Sequence, residues 1–336
     1  MIKSDFHVHT SFSTDSDTPA REQIEALINK GITEICITDH HDIGYTAMEK
    51  ADVNTSESTN TNIESRPFRI NPFAYYEAIQ KEFPQVRVVT WTREFNYSAI
   101  NNFGVQAAKG QYLLFLNNDT ELIAENFVEE MLGFCQREDV GAVGARLLYQ
   151  DDTIQHAGVV IGFGGVAGHT FIGLHKAENS YFHRAMCAQD YSAVTAACMM
   201  SKKSVFDAVG GFSEDLAVAF NDIDYCMKVR SLGKLVVYAP YALLYHYESK
   251  SRGLEDTPEK VARFNREVAK FAKKWPEILK NGDPYYNPNL TLRKSNFALR
   301  DLKKEGIGQP YELDPAIREL MKEAPEQETT SEAQKG

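Results

Sequence analysis

Apolar residues fall into two kinds of run along this chain. Some are short and unbroken: QYLLFL at 111–116, GAVGARLLY at 141–149 and LVVYAPYALLYH at 235–246. Unbroken runs of strand length suit a sheet covered on both faces. RVVTW at 87–91 reads as one more such strand. Other apolar residues recur every three or four positions, as on a helix that buries one stripe. ENFVEEMLGFCQRE at 125–138 is one such segment, and 221–232 is a shorter one ended by Gly233. The clearest covers 257–280, where Val261, Phe264, Val268, Phe271, Trp275 and Ile278 form the stripe. Thr257 is placed to cap it, with Pro258 in its first turn. At the front, 2–9 and 33–38 read as strands on either side of a helix at 18–31, which Thr18 caps and Gly31 ends.

Between these patterned stretches the alternation lapses. ADVNTSESTNTNIES at 51–65 is polar, has no period, and reads as a linker. The pattern thus predicts a strand–helix–strand unit over 1–50, a linker over 51–66 and an α/β domain over 67–300, its mixed sheet flanked by helices. From 301 to 336 the chain is charged and reads as a partly disordered tail.

Composition narrows the partners. The 336 residues are 43% apolar, enough for a buried core, and carry a net charge of −11. That charge argues against nucleic acid or an anionic membrane as the main partner. A phosphate-bearing substrate stays possible, because a bound cation reverses the local field. The five cysteines are scattered and never form CxxC, which suits buried thiols in a reducing compartment. Neither a signal peptide nor an apolar run of membrane-spanning length is legible, so a cytoplasmic protein is expected, with peripheral membrane association left open.

Two groups of residues carry candidate chemistry. The first is DFHVHTSFSTDS at 5–16, followed by TDHHD at 38–42. Alternation on a strand would put His7 and His9 on one face, aimed at one metal. The second begins where the run 111–116 ends in Asn117, Asn118 and Asp119. An acidic residue at the carboxyl end of a buried strand lies where open α/β sheets bind ligands, and a carboxylate there suits Mg²⁺ or Mn²⁺. Asn-Asp-Thr is also ordinary turn chemistry. Further on, Asn221, Asp222 and Asp224 open a helix, where one residue suffices for a cap and the terminus favours an ionised carboxylate. Such an aspartate can take a proton from a substrate hydroxyl. His246 closes the run 235–246 and is a further metal or phosphate candidate. GFGGVAG at 162–168 lacks a strand–turn–helix setting and reads as a flexible loop, and SAVTAACMM at 192–200 reads as core.

Both groups resemble known families. The first 45 residues resemble the start of the PHP (polymerase and histidinol phosphatase) family, through Asp5, His7, His9, Asp15 and His40. That resemblance implies remnants of a metal site at His7, His9, Asp15 and His40. Residues from about 66 to 298 resemble family 2 glycosyltransferases of the GT-A fold, and among them rhamnosyltransferase-like enzymes. NNDTE stands at the metal and nucleotide motif, FNDIDYCMKVRSLG at the base motif with Asn221 in place of its usual Glu, and HYESKSRG at the C-terminal histidine segment.

The implied reaction is inverting transfer of a sugar from a nucleotide-diphosphate donor, a UDP- or dTDP-sugar, to a saccharide or lipid-linked acceptor in cell-surface polysaccharide synthesis. Asp222 is then the base. Asp119 and His246 hold Mg²⁺ or Mn²⁺. Asn102, Asn117, Asn118 and Asp119 face the donor, while Asn221, Asp224 and His156 lie on the acceptor side. The first nucleotide-binding unit of such enzymes has no counterpart here, and the PHP-like unit stands in its place. A PHP-type phosphoesterase and an inactive chimeric glycosyltransferase are the alternatives.

Overall fold

The computed structural model describes residues 4–8, 36–37, 81, 87–117, 119–247, 257–306 and 315–323. Its frame is a mixed sheet of nine strands. The buried run after Gln111 forms β3 (Tyr112–Leu116), next to β10 (Cys198–Lys202), then β5 (Val140–Leu148), β11 (Leu235–His246) and β4 (Thr120–Leu122). Two short strands, β6 (Ile154–His156) and β9 (Gln189–Asp190), pair with β5 and β11. β10 runs antiparallel to both β3 and β5, so β3 and β5 share a direction and end at one edge. β11 is parallel to β5.

On the far side of β3 lie the two N-terminal strands, β1 (Ser4–Val8) and β2 (Cys36–Ile37). β1 pairs parallel with β3, His7 opposite Phe115, and β2 pairs parallel with β1. This explains one departure from the sequence reading. RVVTW at 87–91 is irregular rather than a strand. The seat beside β3 is taken by β1, and Val88 packs on the core from outside the ladder.

Each face of the sheet is covered. α2 (Phe127–Cys135) presents Phe127, Val128, Met131 and Cys135 to Leu114, Leu116, Val143, Ala145 and Leu147 on one side. On the other side, Leu113, Phe115 and Ala142 meet α3 (Lys203–Ala208), α4 (Asn221–Ser231) and α5 (Pro258–Lys274) through Phe206, Tyr225 and Val268. The strand positions alternate between the two cores, as the period of two requires. Gly144 is needed for this packing, since a Cβ there would stand 2.4 Å from Val194.

The remaining elements largely keep to the sequence pattern. The helical stripe at 257–280 is divided by Pro276 into α5 and α6 (Pro276–Asn281), because proline has no N–H for the helix ladder. Thr257 caps α5, its hydroxyl accepting from the Lys260 N–H at 3.3 Å. The glycine-rich stretch 162–168 is ordered: a tight turn joins β7 (Val159–Ile161) to β8 (Ala167–His169) in a small hairpin. Past residue 300 come α7 (Leu302–Glu305) and α8 (Pro315–Glu323), and Ile317 of α8 packs against the same core as α5; 324–336 lie outside the described residues. The helix read at 18–31 lies outside the described residues, as do His9, Asp15, His40 and Asn118.

Candidate active site

The carboxyl edge of the sheet gathers the candidate residues. β3 ends at Leu116, and Asn117 continues it with its N–H donated to the Ala197 carbonyl at 2.8 Å. The chain then turns back into β4, which pairs antiparallel with the end of β11, Thr120 opposite His246. That register brings Asp119 and His246 together. The His246 Nε2 stands 3.1 Å from Asp119 Oδ1 and 3.3 Å from Asn117 Nδ2. Both side chains are about nine-tenths buried.

The other ring nitrogen defines the tautomer. His246 Nδ1 lies 2.6 Å from Gln155 Oε1, an atom that only accepts, so Nδ1 carries the proton. In the neutral ring, Nε2 then presents its lone pair to the Asp119 carboxylate. A lone pair and a carboxylate 3.1 Å apart call for a cation between them, a proton or a metal ion. One imidazole nitrogen and one carboxylate oxygen fit Mn²⁺ or Mg²⁺. No third histidine, cysteine or acidic side chain joins them among the described residues.

Asp222 lies at the start of α4, after Phe220 has turned the chain with a φ of 62°. Its Oδ1 accepts from the Ile223 N–H at 2.8 Å and its Oδ2 from the Ala196 N–H at 3.1 Å. Residues 195–197 therefore touch both halves of the site: Ala197 holds Asn117 and Ala196 holds Asp222. Tyr97 of α1 (Tyr97–Ala107) donates to the Ala196 carbonyl at 3.1 Å and steadies this bridge.

Other expected site residues have different neighbours. Asn102 turns its whole amide to the segment 212–214: Nδ2 donates to the Phe212 carbonyl and Glu214 Oε1, and Oδ1 accepts from the Phe212 N–H. It ties α1 to that loop. Asp224 is fully buried and accepts from Ser213 Oγ and Trp275 Nε1, with Lys274 Nζ at 2.7 Å. It anchors α5 to α4 and does not open to an acceptor. Asn221 is buried and donates to the Val218 carbonyl. His156 is buried with both nitrogens on backbone, Nδ1 donating to the Ala145 carbonyl and Nε2 accepting from the Thr195 N–H. Burial holds its pKa well below the ordinary histidine value, with His169 adding to the effect.

Glu267 went unread in the sequence. From α5 its carboxylate accepts from the N–H groups of Ala217, Val218 and Ala219, at 2.9, 3.1 and 2.9 Å, just ahead of Asp222. The signal was there: an acidic residue sits inside the apolar stripe, between Phe264 and Phe271.

Residues 74–207 match the family model "Glycosyl transferase family 2". That match stops short of α4 and β11, which carry Asp222 and His246. Residues 5–90 match the PHP domain, which carries that match past the polar stretch 51–66 and overlaps the glycosyltransferase match. The chain is 50% identical over 227 residues to the uncharacterized protein y4gI of Sinorhizobium fredii, covering 67% of this chain and 25% of that protein. It is 38% identical over 224 residues to the O-antigen biosynthesis protein RfbC of Myxococcus xanthus, covering 66% of this chain and 17% of that protein. The chain thus spans a quarter or less of these curated relatives. A 49-residue stretch is 39% identical to histidinol-phosphatase of Lactococcus lactis, 15% of this chain and 18% of that protein.

Solved glycosyltransferases share the fold. GalNAc-T7, crystallised with UDP, GalNAc and Mn²⁺, superposes with a TM-score of 0.56 at 11% identity, over 84% of this chain and 49% of its own. The mannosyltransferase PcManGT of Pyrobaculum calidifontis, solved with GDP-Man and Mn²⁺, gives 0.50 at 10% identity, over 81% and 64%. The sheet domain accordingly has a GT-A-type α/β fold. Among its described residues no helix is long and apolar enough to cross a membrane.

Proposed function

We propose that the chain transfers a sugar from a nucleotide-diphosphate donor to a saccharide or lipid-linked acceptor, with inversion at the anomeric carbon, in cell-surface polysaccharide synthesis. The observation that carries this reading is the Asp119–His246 pair at 3.1 Å, with its tautomer fixed by Gln155, at the same sheet edge as Asp222. The similarity to RfbC, an O-antigen biosynthesis protein, supports the setting, and the Mn²⁺ bound by both solved glycosyltransferases supports a divalent cation.

Asp119 and His246 would hold Mg²⁺ or Mn²⁺, whose charge favours departure of the nucleoside diphosphate. The Asn117 amide lies beside the same His246 nitrogen, 3.3 Å from Nε2. Asp222 takes the proton of the acceptor hydroxyl, leaving that oxygen to attack the anomeric carbon while the bond to the diphosphate breaks. Its two backbone donors fix the carboxylate in orientation. The bridge 195–197 keeps base and metal ligands in register, and a donor sugar lying between them is held for attack. UDP- and dTDP-sugars are the donors we favour, and the PHP-like unit occupies the sheet seat next to the metal strand. We retain 51–66 as the joint between the two units.

Asp222→Asn removes the proton acceptor while preserving shape. Transfer should fall by about 10²–10⁴-fold, with Mn²⁺-dependent UDP or dTDP binding unchanged by calorimetry. Turnover close to wild type would take Asp222 out of the mechanism.

A further inference from the structure

Beyond the sheet, three loops close on one buried ring, Phe297. Phe171 stacks on it at 4.8 Å and Tyr181 at 5.6 Å, and the Phe171 N–H donates to the Ser295 carbonyl at 2.7 Å. Outside this layer the surface is apolar. The Phe182 ring, 4.7 Å from that of Tyr181, is 81% exposed, and Leu299, two residues past Phe297, is 82% exposed. Tyr181 and Ile172 are partly exposed beside them. Apolar side chains scattered singly over a surface are ordinary, whereas a gathered set marks an interaction site. The backbone of these loops is strained. Phe171, Phe182, His183 and Phe297 have φ of 59°, 49°, 54° and 61°, four of the six non-glycine residues with positive φ among those described. Such conformations persist where the surroundings impose them and cluster at functional positions. Here the stacking on Phe297 imposes them, and the Phe182 ring is held outward.

The same face is basic in an acidic chain. Segments 172–187 and 293–304 carry seven lysines and arginines against two acidic residues, Glu178 and Asp301, whereas the whole chain has 36 against 47. Arg293, Lys294, Lys303 and Lys304 are exposed. Glu305 lies 3.9 Å from Arg293 and Asp301 3.6 Å from Lys304, which leaves the balance positive. The net charge of −11 does not decide what this face meets. At physiological salt, exposed charges more than about 8 Å away are largely screened. Apolar tips ringed by cations match a bilayer with anionic headgroups, whose interior takes the tips and whose phosphates meet the cations. The face also adjoins the candidate site. Gly173, next to Ile172, donates to the Ile154 carbonyl at 2.9 Å, and the Ile154 N–H donates to the Leu174 carbonyl at 2.8 Å. Ile154 precedes Gln155, which orients His246.

We propose that this face docks on an anionic lipid bilayer, with Phe182 and Leu299 entering the boundary between headgroups and acyl chains and the cations of 293–304 resting on lipid phosphates. Docking does not depend on the sugar-transfer reading. Where that reading holds, docking sets the His246 edge of the sheet beside the membrane, within reach of a lipid-linked acceptor.

The test is flotation of the full chain with phosphatidylcholine vesicles, with and without phosphatidylglycerol, in the absence of metal and nucleotide. The wild type should float with the anionic vesicles, and less so as salt rises. Phe182→Ser and Leu299→Ser should each lower partitioning about tenfold, and Lys303→Glu by a similar factor of about ten. All three side chains are exposed, so melting temperatures should match the wild type. If a serine variant fails to fold, Lys303→Glu decides by itself. A wild type that never floats, or variants that float equally well, overturns the proposal. Self-association in solution that the serine variants abolish, without flotation, assigns the face to a second copy of the chain and overturns it as well. Stabilisation by Mn²⁺ with UDP or dTDP is measured on the same proteins. It reads the donor site alone and should be equal in all four, so either reading can fail and leave the other standing.

Discussion

Gln155 shows how much rests on one side chain that touches no substrate. Its Oε1 takes the Nδ1 proton of His246 and so turns the lone pair of Nε2 toward Asp119. Outer partners of this kind are commonly worth 10–100-fold in metal affinity. Gln155→Leu should weaken Mn²⁺ binding by about that factor, read by calorimetry or by the metal concentration needed for transfer. His156, on the neighbouring position, gives the opposite lesson. It is neutral in the fold because burial disfavours its charge. In the unfolded chain it titrates near 6.5. Its contribution to stability is therefore complete above that pH. As pH falls below it, the unfolded state takes up a proton that the folded state refuses, and stability is lost toward the depressed folded value. Urea midpoints measured between pH 5 and 8 should drop on the acid side, and His156→Gln should flatten that slope.

At the scale of elements, the loop before α4 is held from outside by α5. Three N–H groups from 217–219 converge on Glu267. Glu267→Gln keeps the size but loses the charge and one good acceptor. Transfer should fall about tenfold from misplacement of Asp222, while nucleotide binding stays intact. A variant that loses both equally would mean Glu267 acts on the fold alone. The same elements show what was legible beforehand. Long apolar periods gave β3, β5, β11, α2, α4 and α5, because burial on two faces or one stripe leaves a readable pattern. RVVTW misled, since local strand propensity says nothing about whether a neighbouring seat is free. The ends of β3 and β11 marked Asp119 and His246, but only antiparallel pairing of β4 with β11 brings them within 3.1 Å. Asn102 and Asp224, whose protein neighbours the structure shows, were illegible for a related reason. A polar residue beside a motif looks the same in sequence whether it faces a ligand or a neighbouring loop.

Across the described residues, one sheet takes strands from two stretches that match different family models. β1 and β2 belong to the stretch that matches the PHP domain, yet β1 pairs with β3, in the stretch that matches glycosyl transferase family 2. Backbone pairing reads direction and spacing and is blind to ancestry, so any short parallel strand of suitable length can fill the place. Removing residues 2–45 should leave β3 as a bare edge, with its N–H and C=O groups open to pairing between copies. The expected result is a lower melting temperature and oligomers by light scattering. A truncated protein that stays monomeric and equally stable would show that β1 adds nothing to the sheet.

That same pairing has a consequence in time. Ser4 meets Tyr112, and the residues between them must be made before the contact can form. At ribosomal rates of about 5–20 residues per second, β1 waits on the order of 5–20 s for its partner strand to appear. Among the described residues, β2 is the one strand made in that interval that pairs with β1, and nascent copies on one messenger lie close together. The protein's birth, more than its finished state, is where a chaperone would find it.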